Sequence, residues 1–268
     1  MKKFFLSLAL LLGITTFANA QNQEYIRFQE GRKQGTGQLQ VAVESFTKNG
    51  VTVDLYGVVH MADKEYYRSV QLDLNRYDSV LYEGIKQGAT PNKETKTLNM
   101  VQTGMAKLFG LEFQKDGISY VGSNMVHADI DATTLERKLD GEKLSPLQGL
   151  FTPEQMDKIK PVLDVLGSLL DVYLKQNPQL QNELKFKFGQ QLSQTDISAQ
   201  LSPKMKKAII DDRNQIVMNE LSVQLRNAKN KRIAIFYGAG HNEDFAQRLT
   251  RLGWTRGVKV WKTAWNIR

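Results

Sequence analysis

The sequence predicts an α/β fold, and three observations carry that reading. An apolar run, a glycine turn and a polar helix-like segment follow one another twice. The two stretches are Tyr56-Gly57-Val58-Val59-His60-Met61-Ala62-Asp63 and Tyr237-Gly238-Ala239-Gly240-His241-Asn242-Glu243-Asp244, both fitting Tyr-Gly-x-x-His-x-x-Asp. Residues 51–82 read as strand, helix and strand within about thirty residues, the spacing of a βαβ unit with parallel strands. Residues 232–237 (Arg-Ile-Ala-Ile-Phe-Tyr) form a short apolar run of the kind a buried strand needs.

The N-terminus is read first and set aside. Lys2 and Lys3 form a basic region, residues 4–12 an apolar one, and Ala18-Asn19-Ala20 fits a small-x-small cleavage pattern. A cleavable signal peptide over 1–20 is expected, leaving one domain over 21–268 in the periplasm or secreted. The apolar run is short for a membrane span, so no stable membrane insertion is expected. Residues 21–36 are polar and suit a lead-in or an edge segment. In 38–45, Leu39, Val41 and Val43 alternate as in a strand, and Asn49-Gly50 marks a hairpin turn to 51–56. Tyr66, Val70 and Leu74 lie four apart, which predicts a helix over 63–74. A strand over 79–82 ends at Glu83-Gly84. A polar loop is expected over 87–96, a helix over 98–109 and a short strand over 118–121. The Asp-rich step after His127 suits the cap of a helix through Leu139. Residues 141–202 differ in character and read as a helical insertion or cap, with a helix over 153–174 and Gln- and Asn-rich sequence beyond. Residues 203–226 read as one long helix with Pro203 in its first turn. A helix over 242–252 and a strand over 254–261, near the sheet edge, close the chain.

Composition excludes some chemistry. There is no cysteine, hence no disulfide, thiol nucleophile or thiolate metal site. The net charge of +8 is mild and spread along the chain. It lacks a basic helix or a nucleic-acid motif, so no nucleic-acid partner is expected. There is also no Gly-x-Ser-x-Gly elbow, His-Glu-x-x-His, P-loop or dinucleotide fingerprint.

The candidate site starts from the two histidines of the repeated stretch. Glycine lets the chain turn sharply at a strand end, and open α/β sheets hold their ligands at those ends. His60 and His241 are therefore expected to meet on one rim. Glu83 reaches the same rim if its strand pairs beside that of His60, as a metal ligand or a general base. His127, Asp129 and Asp131 form a His-x-Asp-x-Asp cluster of nitrogen and oxygen donors, equally suited to turn and cap chemistry. Arg213 and Asn214 lie mid-helix, where they serve surface ion pairs or steady a substrate oxyanion.

At these residues the chain resembles the TraB/GumN-like family, which includes the Tiki proteases. The likeness rests on Gly57 to His60, Gly238 to His241, the strand-end Glu83 and the Arg213-Asn214 pair, in that order from about residue 51 to 252. It is least over 141–202. The wider superfamily takes in erythromycin esterases and haem-binding ChaN proteins. The resemblance implies a mixed sheet of two related halves with helices around it, and a metal-dependent hydrolase. His60, Glu83 and His241 would hold a divalent Mn, Co, Zn or Fe ion, and His127, from the His-x-Asp-x-Asp cluster rather than the family pattern, is a further candidate ligand. A peptide or small ester would be the substrate. The esterase relatives suggest metal-free His and Glu catalysis as an alternative, and the haem binders a ligand-binding envelope protein.

Overall fold

The computed structural model describes residues 24–86, 106, 109–142, 169, 172–194 and 201–268. The expected signal peptide and the segments expected at 87–96 and 153–168 lie outside them, as does most of the helix expected over 98–109.

The fold is α/β, with a mixed sheet flanked by helices. Strands β1 (Ile26–Glu30), β2 (Gly37–Lys48) and β3 (Val51–Val58) pair antiparallel with one another, β1 with β2 and β2 with β3. Asn49 and Gly50 both have positive φ at the β2–β3 turn, as a two-residue Asn-Gly hairpin requires. A two-residue strand β4 (Met61–Ala62) and helix α1 (Lys64–Leu74) follow. Helix α1 buries Tyr66, Tyr67, Val70 and Leu74, the face its sequence period marks. Strand β5 (Ser79–Tyr82) comes next, then β6 (Glu112–Phe113), the single turn α2 (Gln114–Gly117), β7 (Met125–His127) and α3 (Ala132–Leu139). The chain continues through α4 (Pro178–Gln194), α5 (Pro203–Lys206), a π turn (Lys207–Asp211) and α6 (Asp212–Gln224). Strand β8 (Arg232–Gly238), a 3-10 turn (Ala239–His241), α7 (Asn242–Arg251) and β9 (Thr255–Ile267) complete it.

Along the sheet the order is β1-β2-β3-β8-β5-β7, with β9 on the other side of β2. Strands β3, β8, β5 and β7 run parallel. The βαβ expectation needs one correction. Strands β3 and β5 are not paired, because β8 enters between them and bonds to both. All three carry apolar residues at the centre of the core: Leu55, Leu81, Ile233 and Ile235 have no exposed surface. A buried central position favours the most continuous apolar run, and β8 is that run. A second correction concerns 118–121, which is irregular; the strand in that region is β7. The expected long helix from 203 is interrupted by the π turn.

Helix α4, within the expected helical insertion, covers the β1–β2–β9 end of the sheet. Phe188 stacks against both Phe109 and Trp265, and Phe28 meets Phe186 edge to face. Lys185 of α4 bonds Asp63 at 2.7 Å, and Asp63 also accepts from the Asn266 N–H of β9. The Trp265 indole donates to the Met61 carbonyl at 2.6 Å. The chain just after His60 is thus clamped by the C-terminal strand. Among the described residues, no helix is long and apolar enough to cross a membrane.

Candidate active site

His60 and His241 leave the sheet from adjacent strands. In the β3–β8 register Gly57 lies opposite Tyr237 and Val58 opposite Gly238. The two strands are parallel, so both histidines emerge at the carboxyl end of the sheet. Glu83 follows β5 on the far side of β8, and its N–H bonds the Phe236 carbonyl. The insertion of β8 therefore places His241 between the His60 strand and the Glu83 strand.

Each imidazole is anchored through Nδ1 by a side-chain amide. His241 Nδ1 lies 2.7 Å from Asn214 Oδ1, and His60 Nδ1 lies 3.1 Å from Gln114 Oε1. With the amide oxygens accepting, both rings carry hydrogen on Nδ1 and keep Nε2 as a free lone pair. His241 is buried against Tyr237 and Phe245, whereas His60 is exposed. Burial pushes the His241 imidazole down to about 4, and nearby Arg213 adds to the effect against the opposing pull of Glu83. The ring is therefore neutral at neutral pH.

Glu83 is ionised by construction. Its Oε1 accepts from Arg213 Nη2 at 2.7 Å and its Oε2 from the Gly238 N–H at 2.6 Å. Burial alone would raise its pKa, but the charge of Arg213, with smaller contributions from the two imidazoles and the Gly238 N–H, holds it well below the usual carboxylate range. His241 Nε2 stands 3.9 Å from Glu83 Oε1. His60 acts on both Glu83 and His241 through space.

Arg213 and Asn214 are turned inward rather than toward a substrate. Arg213 Nε and Nη2 donate to the two oxygens of Asp129 at 2.8 and 2.7 Å, while Nη2 also reaches Glu83. Asp129 in turn accepts from the N–H groups of Gly84 and Ile130. The π turn sets this up. It adds a residue to one helical turn, and without it the residues beyond would be rotated by about 100°. Asp212, Arg213 and Asn214 follow the π turn directly, with both Arg213 and Asn214 buried.

The His-x-Asp-x-Asp cluster is divided among three tasks. Asp129 supports Arg213. Asp131 caps α3, accepting from the Thr134 N–H at 2.9 Å. His127 Nε2 donates to the Gly84 carbonyl, which removes that nitrogen from any metal.

Gln114 is a site residue that sequence reasoning missed. It lies 54 positions from His60 and is delivered by the short β4–β6 pairing, which aligns Met61 with Phe113 and bonds the Gln114 N–H to the His60 carbonyl. Two-residue strands carry no periodicity for a sequence reader to find.

Two free imidazole nitrogens on one rim fit Zn, Mn, Co or Fe as a donor pair. The fuller set expected from sequence, with Glu83 and His127, does not assemble in the same way. Both Glu83 oxygens are already bonded, one to a guanidinium whose charge opposes a cation, and His127 is turned to a carbonyl. Among the described residues, no group of three or more His, Cys, Asp or Glu side chains is arranged to hold a metal ion. Comparison with protein-family profiles, curated proteins and solved structures gives no match.

Proposed function

We propose that this rim is the active centre of a hydrolase that cleaves peptide or ester bonds. The observation that carries the reading is the pair of imidazoles, each tied at Nδ1 and open at Nε2, beside an ionised Glu83. The resemblance to the TraB/GumN-like family supports it. A divalent metal would be held by Nε2 of His60 and His241, and would supply a bound water of lowered pKa.

The chain's own residues have separable tasks. In the metal-free form the exposed His60 uses its Nε2 as the base that meets substrate and water. It takes one proton as the water oxygen bonds to the carbonyl carbon, and returns that proton to the leaving amine or alkoxide. Glu83 is not the base, because a carboxylate held this acidic has little affinity for a proton at neutral pH. Its negative charge stabilises the imidazolium that forms nearby. His241, buried and neutral, offers a second acceptor that orients the water. Arg213 and Asp129 keep Glu83 ionised and fixed.

A second reading is favoured by one contact. The Arg213–Glu83 pair occupies the carboxylate that a metal would use, which suits metal-free acid–base hydrolysis. Purified protein, His60→Ala and His241→Ala are to be assayed on nitrophenyl esters and a fluorogenic peptide library, with and without chelator, alongside elemental analysis. Hydrolysis is expected to fall roughly 10²- to 10⁴-fold in both variants while the fold persists. Undiminished hydrolysis in both would end the proposal. Full activity of the parent protein in chelator, without bound metal, selects the metal-free form.

A further inference from the structure

The hydrogen-bond chain behind His241 leaves no freedom in its direction. Asn214 Nδ2 donates to the His241 backbone carbonyl at 3.2 Å and to Asp244 Oδ2 at 2.8 Å. Both partners are acceptors only: one is a carbonyl, the other a carboxylate paired with Arg248 at 2.5 Å. Turning the amide over would set Asn214 Oδ1 against two oxygens at those distances. The amide is therefore held with Oδ1 toward the imidazole, and His241 Nδ1 must bring the hydrogen. Asn214 and the His241 ring are buried, where an unmade bond of this kind costs the most, while Asp244 is half-buried.

His60 lacks this constraint. Its Gln114 partner donates to the Tyr120 hydroxyl at 3.0 Å, and a hydroxyl can either donate or accept. The first Tyr-Gly-x-x-His-x-x-Asp stretch also uses its aspartate differently, since Asp63 binds Lys185 and the Asn266 N–H. The aspartates of the two stretches are thus alike in sequence and unlike in task.

We infer that Asp244 is a positioning residue which, through Asn214, locks His241 in the Nδ1–H form and keeps its Nε2 an acceptor. The assignment rests on the bonds alone; its consequence for turnover rests on the hydrolase reading.

The test is nitrogen and carbon NMR of histidine-labelled full-length protein at neutral pH in chelator, with the three histidines assigned by substitution. The parent protein is expected to show His241 in a single Nδ1–H form. Asp244→Asn can offer its own N–H to a turned Asn214, so a mixed population containing Nε2–H is expected, and hydrolysis falls roughly 10- to 100-fold. Adding Asn214→Asp to Asp244→Asn restores an acceptor opposite Nδ1 and a donor behind it, so the single form returns. Finding Nε2–H or a mixture in the parent protein would overturn the inference, without recourse to any variant. A folded Asp244→Asn that stays wholly Nδ1–H would overturn it too. Expected tautomers with no hydrolysis by any form would sink the hydrolase reading and leave this assignment standing.

Discussion

Arg213 joins two carboxylates on one guanidinium, and it is the residue whose loss the site should feel most. Its partners Glu83 and Asp129 are both shielded from solvent. Replacing it leaves two buried acids without a counter-charge, which costs about 3–5 kcal/mol for a broken buried pair. Arg213→Met is expected to lose that much stability in urea unfolding and to lose hydrolysis with it. Stability unchanged within about 0.5 kcal/mol would mean that Glu83 and Asp129 have other partners. The type of residue at 213 was legible in the sequence; its direction was not. An arginine in mid-helix reads equally as surface salt bridging until the neighbouring strands are known.

At the scale of elements, the ends of β3 and β8 show why glycine recurs there. A Cβ on Gly57 would stand 2.9 Å from both the Ala42 carbonyl oxygen and Asn242 Nδ2. One of these is backbone, so the sheet itself would have to move. At Gly238 a Cβ would meet Glu83 Oε2 at 3.2 Å, while at Gly240 nothing lies within 4 Å. Gly57→Ala is expected to cost about 1–3 kcal/mol, as overpacking does. Gly238→Ala should chiefly displace Glu83 and weaken hydrolysis. Gly240→Ala should stay within about 0.5 kcal/mol of the parent. Chemical denaturation of the three variants checks the ranking, and an equal loss in all of them would refute the steric account. Asn242 belongs to the same contact: its buried amide has no hydrogen-bond partner among the described residues, and it sits over Gly57 where no side chain fits. The strand-turn-helix order of both stretches was readable from apolar runs and glycine. The adjacency of β3 and β8 was not, because about 180 residues separate them and pairing of that range leaves no local signal.

For the molecule as a whole, the buried site makes stability depend on pH. His241 has a folded value of about 4 against an ordinary 6.5. Between those values the unfolded chain binds the proton that the folded chain refuses, so stability falls as the pH drops through that window. The full effect is about 3 kcal/mol. Glu83 acts in the same direction at lower pH: its folded value is depressed, so its contribution is present above the ordinary carboxylate value of 4.5 and lost on further acidification. Urea midpoints of metal-free protein from pH 7.5 to 4 should decline, and His241→Asn should flatten the upper part of the decline. A flat profile in the parent protein would mean that His241 is solvated.

The sequence by itself determined what is local: which runs are strands, where the Asn-Gly turn closes, which helix face is apolar, and that two histidines end strands beside glycine. Each of these follows from side-chain period and backbone freedom within a short window. Only the tertiary structure decided that β8 enters between β3 and β5, that Gln114 and Asn214 hold the imidazoles, and that Glu83 is bound to Arg213 rather than free. Those outcomes depend on which distant segments bury each other best and on which buried polar groups must then find partners. No window of the sequence contains both sides of that choice.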